Sequence, residues 1–403
     1  MSKSKLLANE SVRKAISLGV LCAVAYFAVY IARNTLGAIA PKTGFSEEFL
    51  GNTSSVYFIS YAVGQLINGA IGDRIKARNM IGFGLLLAGL SSLAFPLLVP
   101  VSESFALVAY GVTGFFLAMI YAPMAKVVSE NTEPHHATRC SLGYTFSSLL
   151  GSPAAGLLAV FLSWQSVFFV STGVLVAMAA SVFAFFTVFE RKGLVKYGQY
   201  KPQAKGAGNI KILFKRQIVK FSLISILTGV VRTSVVFWLP TYIAQYLDFS
   251  PEESASIFTV ATLAISMTSF IAIFLYERLG HDMDKTILIV FTSSVIFFTL
   301  TYFVKVPVLN IIFIVLAIMS SNAAATMLWS RYCPSLRDTG LVSSATGFLD
   351  FLSYSAAALA NITFAGAIDA IGWGNLILVW MGLVTLGVIV ALPYRKVFKK
   401  NAA

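Results

Sequence analysis

Residues 229–242 read Gly229-Val230-Val231-Arg232-Thr233-Ser234-Val235-Val236-Phe237-Trp238-Leu239-Pro240-Thr241-Tyr242, an apolar run with one permanent charge and a proline eight residues beyond it. A second such run lies earlier, where Tyr30-Ile31-Ala32-Arg33-Asn34 is followed by Pro41, again eight residues after the arginine. A guanidinium inside a bilayer costs roughly 2.5 to 3.5 kcal/mol on insertion scales, so an arginine kept there faces protein or a water-filled cavity and marks a ligand path. The echo continues past each proline, as Phe45-Ser46-Glu47-Glu48 and as Phe249-Ser250-Pro251-Glu252-Glu253, with carboxylates where a helix N-terminus favours them. The two runs are therefore counterparts in an internal repeat.

The surrounding chain has the composition such a repeat needs. Of its 403 residues 57% are hydrophobic and 12% charged, with a mean hydropathy of +0.80, which excludes an ordinary soluble domain. Apolar segments long enough to cross a hydrocarbon core begin near Ala15, Leu50, Asn79, Ser104, Thr138, Trp164, Ile218, Glu253, Thr286, Pro307, Gly340 and Gly372. They predict an all-α membrane protein of twelve transmembrane helices in two pseudo-symmetric six-helix bundles, with both termini on one side. Five helices lie between the arginine-bearing first and seventh spans, so both run in one direction, the arrangement of parallel repeats in alternating-access carriers. The expected divisions are 1–189 for the first bundle, 190–217 for a basic linker and 218–403 for the second bundle.

The formal charge of +13 is distributed by side of the membrane. With the N-terminus cytoplasmic, the inner connections and tails hold 26 of the 30 Lys and Arg, and the outer connections hold only Lys42 and Lys305. The remaining two are Arg33 and Arg232. This is the positive-inside rule and not a nucleic-acid footprint, so both termini are expected in the cytoplasm and the protein in the cell inner (plasma) membrane. The basic 190–220 connection suits the anionic lipid of that leaflet. Cys22, Cys140 and Cys333 are isolated, His135, His136 and His281 fall in cytoplasmic connections, and no phosphate-cradling glycine loop occurs. No metal, cofactor or catalytic constellation is expected, and the chain reads as a non-enzyme driven by a gradient.

These features resemble the major facilitator superfamily and, within it, the organophosphate:phosphate antiporters. The connection Gly69-Ala70-Ile71-Gly72-Asp73-Arg74-Ile75-Lys76-Ala77-Arg78 is similar to the superfamily's loop signature, and Gly280-His281-Asp282-Met283-Asp284-Lys285 is a degraded copy. The segments around Arg33 and Arg232 are similar to the antiporters' substrate-arginine segments; the anion:cation symporters carry an arginine and a Trp-Leu-Pro-Thr-Tyr run in corresponding places. The sequence departs from the phosphate-ester pattern at Gln65, where some members have a lysine, at Phe146, near an expected histidine, and at Asp350, an added acid.

Arginine suits an anion because its planar fork donates two parallel hydrogen bonds to phosphate or carboxylate and stays charged. At helical spacing Tyr26, Tyr30 and Gly37 share the face of Arg33, Tyr57, Tyr61 and Gln65 form a polar face on the second span, and Ser141, Tyr144, Thr145 and Ser148 another on the fifth. The expected substrate-binding set is Arg33, Arg232, Tyr26, Tyr30, Tyr61, Gln65, Tyr144 and Asp350, with Asp73, Arg74 and Arg78 as a gating salt-bridge network. Asp350 either neutralises an arginine in the empty site, binds a cationic group, or carries a proton. The expected partners are a small anionic substrate, inorganic phosphate or a proton as coupling species, and membrane lipid, with the protein a monomer. The leading expectation is exchange of a phosphate ester for inorganic phosphate. A proton-coupled carboxylate or sugar-acid symporter of the same fold is one alternative, and a non-transporting receptor or enzyme for an anionic ligand is another.

Overall fold

A computed structural model describes residues 3–71, 75–197, 211–336 and 342–392. Among the described residues the regular structure is helical, and twelve long helices follow one another. The first five are α1 (Lys3–Thr43), α2 (Glu47–Ile71), α3 (Ala77–Leu98), α4 (Glu103–Val128) and α5, which runs Pro134–Leu149 and resumes over Gly151–Phe161. Then come α6 (Trp164–Arg191), α7 (Ile218–Tyr246), α8 (Pro251–Arg278), α9 (Met283–Phe303) and α10 (Pro307–Tyr332). The helical stretch Val342–Ala391 is two spans, because Gly372 sits inside it at φ 73° and ψ 166°. Only glycine adopts that backbone without strain, so α11 (342–371) turns there into α12 (373–391). The start expected for the last span coincides with this residue.

By length and apolar composition nine of the described helical stretches can cross a membrane, and Ala345–Ala391 counts there once for two spans. The other two spans depart from that pattern for physical reasons. In α2 the serines, Gln65 and Asn68 dilute the apolar run, and α5 is interrupted at Leu150.

The chain divides into two compact units, Met1–Lys205 with Ser250–Leu263, and Gly206–Phe249 with Ala264–Ala403. The boundary inside α8 falls beside a break at Met267, between the helical pieces Pro251–Ser266 and Thr268–Arg278. In the first unit the core is aromatic: Phe95 stands 5.1 Å from Tyr110 and 4.9 Å from Phe168, ring to ring. In the second, Trp380 lies 6.2 Å from Phe298 and 5.9 Å from Phe364.

Lipid is as apolar as leucine, so helix association relies on close backbone approach and interhelical hydrogen bonds. Both devices are present in each unit. Thr35 of α1 meets Ser171 of α6 at 3.0 Å, and Thr172 donates to the Gly89 carbonyl of α3 at 3.2 Å. Ser225 and Ser234 of α7 donate to the α11 carbonyls of Leu349 and Ala357 at 2.7 and 2.8 Å. Gly151 of α5 lies against the backbone of Tyr30, and Gly229 of α7 against the backbone of Ser353. The helix carrying each arginine is thus pinned by a glycine contact within a turn or so of it.

Candidate functional site

In the first unit the site is built on α1. Helical spacing puts Tyr26, Tyr30 and Arg33 on one side, and the structure surrounds them from three further helices. The Arg33 guanidinium carbon lies 5.1 Å from the Tyr30 ring centroid, 5.3 Å from Tyr61 and 5.5 Å from Phe58. Each such contact stabilises a cation by about 0.5 to 2 kcal/mol, more as water is excluded. Tyr26 is buried and joins Tyr30 at 5.0 Å, Tyr121 of α4 at 5.5 Å and Tyr144 of α5 at 6.2 Å. Gln65 is half-buried, one turn along α2 from Tyr61. Three helices, α1, α2 and α5, therefore bring five of the expected residues, Tyr26, Tyr30, Arg33, Tyr61 and Tyr144, to one aromatic cluster that includes a cation. The side chains of Ser141 and Thr145 lie outside the described residues.

Phe58 and Tyr121 were not among the expected residues. Phe58 precedes Tyr61 by three and shares its face, but it has no polar tip to draw attention in a sequence. Tyr121 follows a turn at residues 118–120, where α4 loses its regular phase and a periodicity argument fails.

In the second unit Arg232 is partly buried and occupies a π-helical turn, Val230–Val235, set between α-helical pieces of α7. Such turns are rare and concentrate at functional sites, because the extra residue re-aims the side chains after it. The Arg232 guanidinium carbon stands 5.6 Å from the Tyr354 ring of α11. Asp350 is half-buried one turn before Tyr354, on the same face of α11. Arg33 belongs to the first unit and Arg232 and Asp350 to the second.

Of the expected gating residues, Asp73 and Arg74 lie outside the described residues. Arg78, at the start of α3, donates to Glu190 at 3.1 Å and to Thr187 at 3.3 Å, both in α6 of the same unit. Glu190 also accepts from Tyr197 at 2.9 Å. Burial first, and then this carboxylate, push the Tyr197 hydroxyl above its ordinary pKa, so it remains a donor. Asn131, three residues past the end of α4, completes the anchor, accepting from the Lys196 backbone N–H at 2.8 Å and donating to its carbonyl at 3.0 Å. The segment after α6 is thereby tied to α3, to α6 and to the residues just past α4. Glu190→Gln should cost about 1 kcal/mol, because the amide loses the charge of this partly buried pair but keeps an acceptor for one of the two donors. Glu190→Ala should cost about 2 kcal/mol, because it strands two donors. Thermal unfolding in detergent checks both, and equal effects from the two variants would rule out the shared-acceptor account.

A multi-pass helical membrane protein with a pinned, ring-flanked arginine in each of two units is of the transporter class. The chain belongs to the Major Facilitator Superfamily, whose family model matches residues 18–361. It is 22% identical to the glycerol-3-phosphate transporter of Bacillus subtilis, over 96% of this chain and 93% of that one. It is 23% identical to the phosphoglycerate transporter protein of Salmonella typhimurium, over 92% and 87% of the two chains. In fold it is similar to a D-xylose-proton symporter, with a TM-score of 0.72 at 14% identity, covering 94% of this chain and 97% of the other. The similarity to these two phosphate-ester transporters thus extends along nearly the whole chain.

Proposed function

We propose that this transporter carries a small phosphate ester across the plasma membrane in exchange for inorganic phosphate, by alternating access, with Arg33 and Arg232 serving the same anion. The observation that carries this reading is the pair of intramembrane arginines, each flanked by tyrosine and held on a helix pinned by a glycine contact. A guanidinium kept inside a membrane span marks a ligand path, and its fork matches phosphate oxygens. The named relatives, a glycerol-3-phosphate transporter and a phosphoglycerate transporter, handle anions of this class. In the proposed arrangement 1–189 and 218–403 are the two bundles, joined by the basic linker 190–217, and both termini are cytoplasmic. The working unit is a monomer, and the anionic lipid of the inner leaflet contacts the linker.

Asp350 neutralises one arginine while the site is empty in this scheme, so it is not obligatory for exchange. Counterflow of labelled phosphate in proteoliposomes should be robust in the wild type and should persist, within about tenfold, in Asp350→Asn. Absence of phosphate counterflow in the wild type would sink the proposal. If Asp350→Asn instead abolishes uphill uptake driven by a proton gradient, the symporter reading replaces it.

A further inference from the structure

Arg232 accounts for the charge of an anion, and the second unit holds further polar groups that no expected role has absorbed. Thr268 of α8 is 4% exposed and its hydroxyl has no hydrogen-bond partner among the described residues. Asn322 of α10 is half-buried, and its Oδ1 is enclosed with no donor among the described residues. Buried polar groups in this condition cost stability, so their retention in an apolar bundle calls for something that satisfies them.

Asn322 lies at the depth of the arginine. The ends Tyr246 and Pro307 lie on one side of the unit, since α7 and α10 run in opposite directions. Counted from those ends at about 1.5 Å per residue, Arg232 lies about 21 Å in and Asn322 about 23 Å. α10 packs against both the Val230–Val235 turn and the second piece of α8, whose first residue is Thr268. Two of the three helices carry backbone irregularities, the π turn of α7 and the break at Met267 immediately before Thr268.

The donor and acceptor chemistry separates two jobs. Arginine only donates and the phosphoryl group of a fully ionised phosphate monoester only accepts, so those two satisfy each other. Such a phosphoryl group cannot satisfy Asn322 Oδ1, which needs a donor, whereas an alcohol O–H on the ester supplies one and can accept from the Thr268 hydroxyl in return. We infer that Thr268 and Asn322 form an uncharged subsite beside Arg232 that recognises a hydroxyl group on the organic portion of the substrate. The inference rests on the proposed anion transport and adds a determinant of which esters are accepted.

The test uses two three-carbon probes of equal charge, glycerol 3-phosphate with two hydroxyls and n-propyl phosphate with none. The readout is ligand-induced thermal stabilisation of the purified full chain, which requires no transport, supplemented by competition against labelled phosphate in proteoliposomes. The wild type should favour glycerol 3-phosphate. In Asn322→Leu and Thr268→Val, each close in size to the native residue, that preference should fall by about tenfold, while affinity for propyl phosphate and for inorganic phosphate holds. Two independent variants keep the inference open to refutation should one fail to fold. A preference unchanged in both variants, as expected if these groups bind only water, overturns the subsite, and so does an equal loss for both esters. A wild-type protein stabilised by neither ester and lacking phosphate exchange overturns the anion reading as well.

Discussion

Arg232→Lys is expected to lower phosphate counterflow by about a hundredfold, and Arg33→Lys by at least as much, while thermal stability stays within about 1 kcal/mol of wild type. Lysine keeps the charge, so general attraction of anions into the protein survives. What it loses is the fork: a charge-assisted hydrogen bond contributes about 1.5 to 3 kcal/mol, and an ammonium replaces two parallel bonds with a single point contact. At Arg33 a second loss adds to this, because the guanidinium plane lies near three rings, Tyr30, Phe58 and Tyr61, and a compact, strongly hydrated ammonium does not stack in the same way. Counterflow and phosphate-induced stabilisation measured on the same preparations separate transport from binding. Rates indifferent to both substitutions would remove the two arginines from the substrate path.

Gly151→Val should be nearly as damaging, although it touches no polar group. A Cβ at Gly151 would lie 2.7 Å from the carbonyl carbon of Tyr30, and one at Gly229 would lie 2.7 Å from the carbonyl oxygen of Ser353 and 2.9 Å from its Cα. Those are backbone atoms, which cannot rotate aside, so the helices themselves must part. Overpacking of this kind costs about 1 to 3 kcal/mol, and valine with two further methyls stands at the upper end. The functional cost is larger, because a displaced α1 carries Tyr30 and Arg33 with it, and a shift of about 1 Å at a binding group is enough for a hundredfold loss. Gly229→Val should act likewise through Arg232, three residues further along α7. Gly173→Val in α6 is the control, since a Cβ there meets nothing within 4 Å. Transport and unfolding temperature should be near normal in the control and strongly reduced in the other two; indistinguishable behaviour would show that close helix approach does not position the arginines.

The legible part of this protein was whatever depends on local composition. The twelve spans and their approximate starts followed from apolar run length, and even the division of Val342–Ala391 was marked by Gly372. The paired arginines stood out because a charge inside an apolar run is costly wherever the helix is placed. Tyr26, Tyr30 and Tyr61 were accessible through the 3.6-residue period of α1 and α2. Phe58 and Tyr121 were not, the first lacking a polar tip and the second lying past an irregular turn. Nor did Arg78 announce its tie to Glu190, more than a hundred residues away in the chain.

Hydropathy, charge asymmetry and helical period are sums over neighbouring residues, and from them alone the chain was a membrane protein of repeated halves with a cation in the first span of each. The π turn that carries Arg232, the break before Thr268, the glycine seats at Tyr30 and Ser353, and the three rings around Arg33 came only from tertiary structure. Each depends on what another helix presents at the point of contact. Helix formation answers to the residues within a turn or two, whereas the phase and aim of a side chain answer to packing between segments far apart in sequence, where van der Waals fit and hydrogen-bond satisfaction decide between arrangements that local composition leaves equal.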